Sequence, residues 1–372
     1  MSARLGVVAL SGPNNGGTYQ YTLAMLHGLR HVAGFDITLY GDSSNPDFAE
    51  LGYPIVPFAE TRRQQVTALA ARRLHLALPD PFAAEDLLLA PIYSLALLHT
   101  SKPFAFTLHD LQENYYPQNF SRWQRIWRHE TYAALLGRAR RVICESRHVK
   151  ADIANSFGVA GERIKVIPAP PQRQFLTRQP DAELEAVRQR LQLPQRFLFY
   201  PAQFWVHKNH LRLVEAFGEV LKQAPDLKLV LTGKQRDEYR NVMDAVNRLG
   251  LGANVVHVGF VERDELQAIY RLATALVMPS LFESISIPVY EAFLAGTPVI
   301  ASDIHAIPEQ VGDAGLLFDP TSVASIAHAI LKVVQNGDLA KDLVAKARER
   351  MQQMTPEHYG EQLQDLLDEM RD

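Results

Sequence analysis

The sequence predicts an α/β protein with two doubly wound, Rossmann-like domains that face each other across a cleft. The chain has 372 residues, which is too long for one ordinary hydrophobic core. Short apolar segments alternate with amphipathic ones along most of it, a pattern typical of parallel sheets covered by helices on both faces. One proline-rich stretch interrupts this alternation, so we expect the domains to be joined there.

The first domain is predicted over residues 1–170. Its expected strands are, in order, LGVVALS, DITLYG, LLLAP, KPFAFTLHD, RRVICES and RIKVIP. Its expected helices are TYQYTLAMLHGLRHV, RRQQVTALAARRLHLAL, RWQRIWRHETYAALLGRA and SRHVKADIANSFG. Strands and helices thus follow one another as a parallel sheet requires.

The second domain is predicted over residues 196–355, after a linker at 171–195. Its expected strands are RFLFYPA, LKLVLTG, NVVHVGF, ALVMPS and PVIAS. Its expected helices are HLRLVEAFGEVLKQ, DEYRNVMDAVNRLG, RDELQAIYRLA and VASIAHAILKVVQ. A last helix, over about 356–372, is expected to pack back onto the first domain.

Composition indicates a soluble globular protein, with 47% hydrophobic and 21% charged residues. The net charge of -3 gives no reason to expect nucleic acid as a partner. Cys144 is the single cysteine, which excludes an internal disulfide and fits a reducing compartment. Since no signal peptide or membrane-spanning run is evident, we expect a cytoplasmic protein, at most peripheral at the inner face of the membrane.

Ligands of such sheets lie beyond the carboxyl ends of the strands. After the first strand, Gly16 and Gly17 can bring backbone amides close to a ligand, with Thr18 as the expected N-cap of the next helix. Amides at a helix start bind anions, above all phosphate. The alternative, which the loop taken alone favours, is a tight turn that needs glycine for steric reasons.

Two further strand ends carry polar candidates. His109 and Asp110 directly follow a strand, where they could bond sugar hydroxyls or serve only as structural hydrogen-bonding residues. Lys208 lies in a loop before a helix that Asn209 could cap. A lysine there opposes the helix dipole, so it fits better if an anion binds too; an ordinary solvated lysine is the alternative.

Two glutamates, Glu283 and Glu291, flank Pro288 after the strand ALVMPS. Pro288 suits the first turn of a helix and Gly296 its end. Both carboxylates would then point to the carboxyl edge of the sheet and could accept hydrogen bonds from hydroxyl pairs. Alternatively, Glu291 only complements the helix dipole and Glu283 is solvated.

Taken in order, these features resemble the retaining nucleotide-sugar glycosyltransferases of the GT-B type, the two-Rossmann-domain group that includes bacterial mannosyl-, glucosyl- and rhamnosyltransferases of polysaccharide assembly. The resemblance covers nearly the whole chain and is strongest over 197–320. The matching residues are Glu283 and Glu291 for the E-x7-E motif, Gly16 and Gly17 for the glycine pair, His109 for the strand-end histidine and Lys208 for the phosphate lysine.

The resemblance implies a hexosyltransferase that moves a hexosyl or deoxyhexosyl group from a nucleotide-diphosphate sugar, GDP-mannose favoured, to a saccharide or lipid-linked saccharide. Lys208 would hold the diphosphate with the Gly16 and Gly17 amides, Glu291 the ribose, and Phe260 or its neighbours would face the base. The remaining donor-binding residues would be Gln203, Gly233, Glu283, Ser284, Ile285 and Ser286.

The implied catalytic residues are Glu283, His109 and Lys208. Glu283 would stabilise charge at the anomeric centre, and His109 would bond the donor sugar near the reacting carbon. No metal or other cofactor is expected, because cationic side chains and helix starts would neutralise the leaving diphosphate. Retention would proceed on the front face, with double displacement as the lower-ranked mechanism.

The chain departs from the family pattern in two places. Gln203 stands where the family usually has an arginine, so another Arg or His, with His207 a candidate, must supply the missing cation. The family commonly has glycines in the loop after the first glutamate. This chain has Ser284, Ile285 and Ser286 there, and donor selectivity is expected to reside in this loop.

The acceptor is expected to bind the first domain, with Asp110, Tyr115 and Trp123 as candidates. The segment around Trp123 and Trp127 is rich in arginine and could rest on an anionic membrane surface, although a helix with both rings facing the core is the more favoured interpretation. Two rival functions stay open: a nucleotide-sugar epimerase on the same scaffold, and a non-catalytic nucleotide-sugar binding subunit.

Overall fold

The computed structural model describes residues 2–171 and 179–371. The chain forms two compact units, which we call unit 1 (residues 1–170 and 354–372) and unit 2 (residues 171–353). The part of the predicted linker at 172–178 lies outside the described residues. No helix in the described ranges is long and apolar enough to cross a membrane.

Unit 1 contains a parallel seven-stranded sheet in the order β3-β2-β1-β4-β5-β6-β7. Its strands are β1 (Ala3–Ala9), β2 (Phe35–Gly41), β3 (Ile55–Pro57), β4 (Leu87–Ala90), β5 (Phe104–Thr107), β6 (Arg141–Cys144) and β7 (Ile164–Val166). Its helices begin with α1 (Gly17–Gly28), α2 (Pro46–Ala49), α3 (Arg62–Arg73), α4 (Gln112–Tyr115), α5 (Arg122–Leu136) and α6 (Arg147–Phe157).

Both faces of this sheet are buried. Side chains alternate across a strand, so Val7 and Val8 of β1 enter two different hydrophobic clusters, one on each face. Leu88 and Leu89 of β4 divide in the same way. This is why the strands appear in the sequence as continuous apolar runs, as expected for parallel sheets with helices on both sides.

Unit 2 contains a parallel six-stranded sheet in the order β10-β9-β8-β11-β12-β13. Its strands are β8 (Phe197–Pro201), β9 (Lys228–Thr232), β10 (Val255–Gly259), β11 (Ala275–Met278), β12 (Val299–Ser302) and β13 (Gly315–Phe318). Its helices are α7 (Asp181–Arg190), α8 (His210–Leu221), α9 (Tyr239–Arg248), α10 (Arg263–Leu272), α11 (Ile287–Ala295), α12 (Ile307–Val311), α13 (Val323–Val334) and α14 (Gly337–Arg350).

Helix α15 (Pro356–Arg371) follows unit 2 in the chain but packs in unit 1, against α1. Tyr359 lies against Gly28, where a Cβ would come within 2.7 Å of the tyrosine ring. Glu369 also forms salt bridges with Lys165 and Arg141, at 2.6 and 3.0 Å. Apolar packing and these ion pairs together hold the end of the chain on unit 1.

Several features of the fold differ from the sequence expectation, and helices α2, α4, α12 and α14 are among the elements that were not predicted. The predicted linker contains α7, because Leu184 and Val187 are buried and the helix packs against α10. Strands β3 and β13 were not predicted, and each lies at an edge of its sheet. Both strands are short, with three and four residues, and are incompletely buried, so they form no long apolar run.

Candidate active site

A salt bridge joins the loops that follow the neighbouring strands β8 and β11. The Nζ of Lys208 lies 2.6 Å from the Oε1 of Glu283, and the two side chains are 23% and 12% exposed. Because β8 and β11 run side by side and parallel, their carboxyl ends reach the same edge of the sheet. The sheet thus brings together an ammonium and a carboxylate that are far apart in sequence and largely shielded from solvent.

The backbone around Lys208 is fixed by buried polar groups. The hydroxyl of Tyr200 donates a 2.9 Å hydrogen bond to the carbonyl of Lys208. Asn209 takes a left-handed conformation with φ 60°, which asparagine tolerates better than most residues. Its side-chain amide donates to the carbonyls of Pro279 and Pro320, both at 2.9 Å. Loops after three strands are therefore tied together at the lysine.

Glu291 lies inside helix α11 and is only 3% exposed. The hydroxyl of Tyr270, itself buried, donates a 2.8 Å hydrogen bond to its Oε2. Burial raises the pKa of Glu291 to about 7, although the bond from Tyr270 works in the opposite direction. The helix has Pro288 in its first turn and ends at Gly296 with φ 76°, as the sequence predicts.

The loop between the two glutamates does not need glycine. None of Ser284, Ile285 and Ser286 has a positive φ. The N–H of Ser286 donates to the Oε1 of Gln310 at 2.8 Å, and the hydroxyl donates to the sulfur of Met278 at 2.7 Å. Ser286 therefore uses its polar groups inside unit 2, whereas Ser284 and Ile285 are half-buried.

The loop after β9 packs closely against the loop after β8. Gly233 has φ 119°, and a Cβ there would lie 2.5 Å from the carbonyl oxygen of Ala202, so the approach requires glycine. The Nε of Arg236 donates a 2.9 Å hydrogen bond to the Oε1 of Gln203. The neutral side chain at 203 thereby acquires a guanidinium neighbour from the adjacent loop.

Phe260, which the resemblance places at the nucleotide base, follows the outermost strand β10. Its ring is 68% exposed, and the Nζ of Lys234 lies 5.5 Å from the ring centroid. Strand β10 is separated from β8 by β9, so Phe260 lies at the same edge of the sheet as Lys208 but two strands away.

In unit 1, Gly16 rather than Thr18 is the N-cap of helix α1. The expected cap at Thr18 is wrong, because the helix begins at Gly17 and the Thr18 hydroxyl donates instead to the carbonyl of Asn15. Gly16 has φ 58° and ψ -125°, a conformation that is strained for any residue with a Cβ. The glycine pair thus starts the helix, where the first amides lack intrahelical partners.

His109 has hydrogen-bond partners at both ring nitrogens. Nδ1 lies 3.0 Å from the Oε2 of Glu145, and Nε2 lies 3.0 Å from the carbonyl of Pro91. Burial lowers the pKa of His109, but the hydrogen bond and charge of Glu145, with a contribution from Asp110, outweigh it and leave the pKa raised. Since both partners accept, the arrangement favours the imidazolium.

Among the described residues, the three acceptor candidates share no hydrogen bond, ion pair or ring contact with one another. Asp110 pairs with Arg128 at 2.9 Å. The hydroxyl of Tyr115 donates to Asp152 at 2.6 Å. Trp123 is 79% exposed, so it does not face the core; the favoured interpretation fails for this ring.

Trp127, the second tryptophan of this segment, behaves as the core interpretation expects. Its ring packs against the cluster under helix α5, and the guanidinium of Arg62 lies 3.5 Å from the ring centroid. The two rings therefore have different roles in one helix.

Several residues of these networks were missed by sequence reasoning. Glu145 directly follows strand β6, so the rule of examining residues after strands would have found it. Tyr270 and Tyr200 carry no such signal, because each lies within a regular element and is recognisable only from its contacts. Arg236 lies in the loop after strand β9, so the same rule would have found it.

Two family models match this chain. The model "Glycosyl transferases group 1" matches residues 182–350, and "Glycosyltransferase Family 4" matches residues 15–170. O-antigen chain mannosyltransferase B of Escherichia coli is 27% identical over 70% of this chain and 69% of that protein. O-antigen chain mannosyltransferase RfbU of Salmonella typhimurium is 27% identical over 88% of this chain and 90% of that protein.

Solved structures resemble this chain over nearly its whole length. Sucrose-phosphate synthase of Thermosynechococcus elongatus superimposes with a TM-score of 0.75 at 22% identity, covering 99% of both chains. HepE of Anabaena, solved with UDP, gives 0.77 at 17% identity over 98% of this chain and 99% of that one. WaaG, a glycosyltransferase involved in lipopolysaccharide biosynthesis, gives 0.70 at 16% identity over 97% and 99%. The predicted GT-B fold with two Rossmann-like domains is confirmed.

Proposed function

The chain belongs to the glycosyltransferases of the GT-B fold, and from this premise we propose that it transfers a hexosyl or deoxyhexosyl group from a nucleotide-diphosphate sugar to a growing saccharide. GDP-mannose is the favoured donor, because two of the most similar relatives carry the name O-antigen chain mannosyltransferase. The same names support a saccharide or lipid-linked saccharide as acceptor and a role in polysaccharide assembly.

The contact between Lys208 and Glu283 carries this proposal. An ammonium and a carboxylate lie 2.6 Å apart at the carboxyl edge of a Rossmann sheet. They could stabilise the opposite charges that develop on the phosphate and on the sugar when a sugar-phosphate bond breaks. Lys208 would bind the phosphate oxygen that gains charge when the bond breaks, and Glu283 would stabilise the positive charge that develops on the sugar. Gly16, Gly17 and His109 keep the roles at the donor that the family resemblance implies.

We further propose a retaining, metal-independent reaction. The bond from the anomeric carbon to the phosphate oxygen breaks, and the acceptor oxygen bonds the same face of that carbon. The acceptor proton passes to the departing phosphate oxygen, so no enzyme base is consumed. Side-chain cations would neutralise the negative charge of the leaving diphosphate in place of a metal ion. A chelator of divalent cations should therefore leave the transfer rate unchanged.

Glu291 would bind the ribose hydroxyls through its carboxylate. The buried hydrogen bond from Tyr270 would hold that carboxylate in one orientation while its other oxygen accepts from the ligand. This role supports recognition of the nucleotide, whereas Lys208 and Glu283 act at the reacting bond.

For the acceptor, we propose a contact through unit 1 that includes Asp110, Tyr115 and Trp123. The exposed ring of Trp123 beside Arg122 and Arg125 would suit an anionic lipid surface near a lipid-linked acceptor. Replacing Trp123 with alanine should reduce sedimentation with vesicles of anionic phospholipid but not with neutral vesicles. Equal sedimentation of both proteins would reject this contact.

A panel of nucleotide sugars tests the function. Purified protein is incubated with GDP-, UDP- and dTDP-sugars and with a saccharide acceptor, and the sugar product and its anomeric configuration are determined by NMR. We expect turnover with one base and an anomer of retained configuration. Donor conversion without acceptor would favour an epimerase, and tight donor binding without any turnover would favour a non-catalytic subunit.

A further inference from the structure

A cation without a carboxylate partner lies beside the loop that leads to Lys208. Arg236 is exposed, and within residues 2–171 and 179–371 no carboxylate pairs with it. Lys208, by contrast, is already paired with Glu283 at 2.6 Å. Within the described residues, the loop after β9 therefore offers free positive charge at this edge of the unit 2 sheet, from Arg236 and also from Lys234.

The guanidinium of Arg236 is held in place on two sides. Its Nε donates to the Oε1 of Gln203 at 2.9 Å, and its central carbon lies 5.1 Å from the ring centroid of Trp205. The N–H of Glu238 also donates to the carbonyl of Phe204 at 3.1 Å, which ties the two loops together. Among the described residues only Gln203 accepts from this guanidinium, through Nε, so the two terminal nitrogens keep their N–H groups for a ligand.

A diphosphate is the ligand that this arrangement fits. A planar guanidinium with two free terminal nitrogens binds phosphate oxygens in a bidentate manner. A departing nucleoside diphosphate carries negative charge on both phosphates, and a lysine shared with a carboxylate balances only part of it. A second cation at the same edge of the sheet would complete the neutralisation.

We propose that Arg236 binds the diphosphate of the nucleotide-sugar donor together with Lys208, an inference that rests on the proposed transferase function. Gln203 stands five residues before the lysine, where the family pattern that this sequence resembles usually has an arginine. In this chain the guanidinium reaches that place from the neighbouring loop, and Gln203 serves as its hydrogen-bond acceptor. Arg236, rather than His207, thus replaces the missing arginine.

Binding of GDP and guanosine, with UDP and uridine and dTDP and thymidine in parallel, tests this by calorimetry. Arg236→Ala should weaken binding of the nucleoside diphosphate about 10- to 100-fold, the range for one charge-assisted pair. Binding of the nucleoside should not change. Arg240→Ala removes the same charge from exposed Arg240, four residues away, and should change neither. Adding Gln203→Arg to Arg236→Ala should restore most of the lost affinity.

Each other outcome has a defined meaning. If Arg236→Ala binds the diphosphate as tightly as Arg240→Ala does, the inference is wrong while the proposed function stands. If it weakens diphosphate and nucleoside equally, the effect is not on the phosphates and the inference is also wrong. Failure of the unmodified protein to bind any of the three nucleoside diphosphates would instead reject the proposed function, and this inference with it.

Discussion

The hydroxyl of Tyr270 donates a 2.8 Å hydrogen bond to the carboxylate of Glu291, and both side chains are buried in unit 2. Tyr270 belongs to α10 and Glu291 to α11, so the bond links two neighbouring helices. Burial raises the pKa of the carboxyl to about 7, far above its ordinary value of 4.5. A carboxyl that titrates near neutral pH has consequences for both stability and binding.

Glu291→Gln should stabilise the protein at pH 8 and have much less effect near pH 5. The folded-state pKa of about 7 exceeds the unfolded value of 4.5, so the folded state holds more protons between these values. Stability is therefore lost as the pH rises through that window, by up to ~3 kcal/mol. Glutamine keeps the acceptor for Tyr270 without the charge. Urea unfolding at both pH values measures the effect, with exposed Glu349→Gln as control; equal stabilisation at both pH values would contradict the assignment.

Donor affinity should rise with pH through about 7, because the ionised Glu291 accepts more strongly from ribose hydroxyls. Tyr270→Phe removes the bond that lowers the pKa of Glu291, so the midpoint of this rise should move to higher pH. Titration of the nucleotide sugar at several pH values follows the midpoint. An unmoved midpoint would mean that another group titrates.

Lys208→Met and Glu283→Gln should each reduce kcat/KM by roughly a hundredfold to a thousandfold, the usual effect of losing one group that stabilises developing charge. Because the two groups touch at 2.6 Å, the double variant should lose much less than the product of the two losses. Steady-state kinetics with the preferred donor gives the coupling. If the loss in kcat/KM of the double variant equals the product of the two single losses, the two groups act independently.

Glu145→Gln should lower the pKa of His109. The carboxylate of Glu145 lies 3.0 Å from Nδ1, and its hydrogen bond and charge outweigh the burial that otherwise lowers the pKa. Because the pKa of His109 is higher in the folded state than in the unfolded state, the histidine stabilises the fold at pH values below the unfolded-state pKa. This stabilisation is lost as the pH rises through the folded-state pKa. The ring resonances in an NMR pH titration report the change, and Glu130→Gln on the exposed side of α5 is the control.

Gly16→Ala should destabilise unit 1 by about 1–3 kcal/mol through backbone strain. A Cβ at Gly16 meets no atom within 4 Å, so the cost would come from φ 58° and not from a clash. Gly12→Ala, in the same loop at φ -120°, should be nearly neutral and serves as the matched control. Thermal unfolding of both variants compares them; similar losses would indicate that packing in the loop, not φ, sets the cost.

Much of the fold could be read from periodicity, because buried strands and amphipathic helices leave strong local patterns. Among the elements that were not predicted, β3 and β13 are short edge strands, and α7 lies beside proline-rich sequence that suggests a linker. Within the candidate site, the strand-end rule found Lys208 and Glu283 but passed over Glu145, which obeys the same rule. Arg236, in the loop after β9, also obeys this rule and was passed over. Tyr270 was beyond such reasoning, because its importance lies in a contact with a residue remote in sequence.

The sequence by itself determined the two α/β domains, the glycosyltransferase resemblance and the positions of the strand-end residues, since each depends on local pattern and spacing. Only the tertiary structure decided which of those side chains meet. Parallel pairing of β8 with β11 brings Lys208 to Glu283, and helix packing buries Glu291 beneath Tyr270. Charge, pKa and hydrogen-bonding partners follow from these contacts because electrostatic interactions depend on distance and burial, which no single stretch of sequence contains.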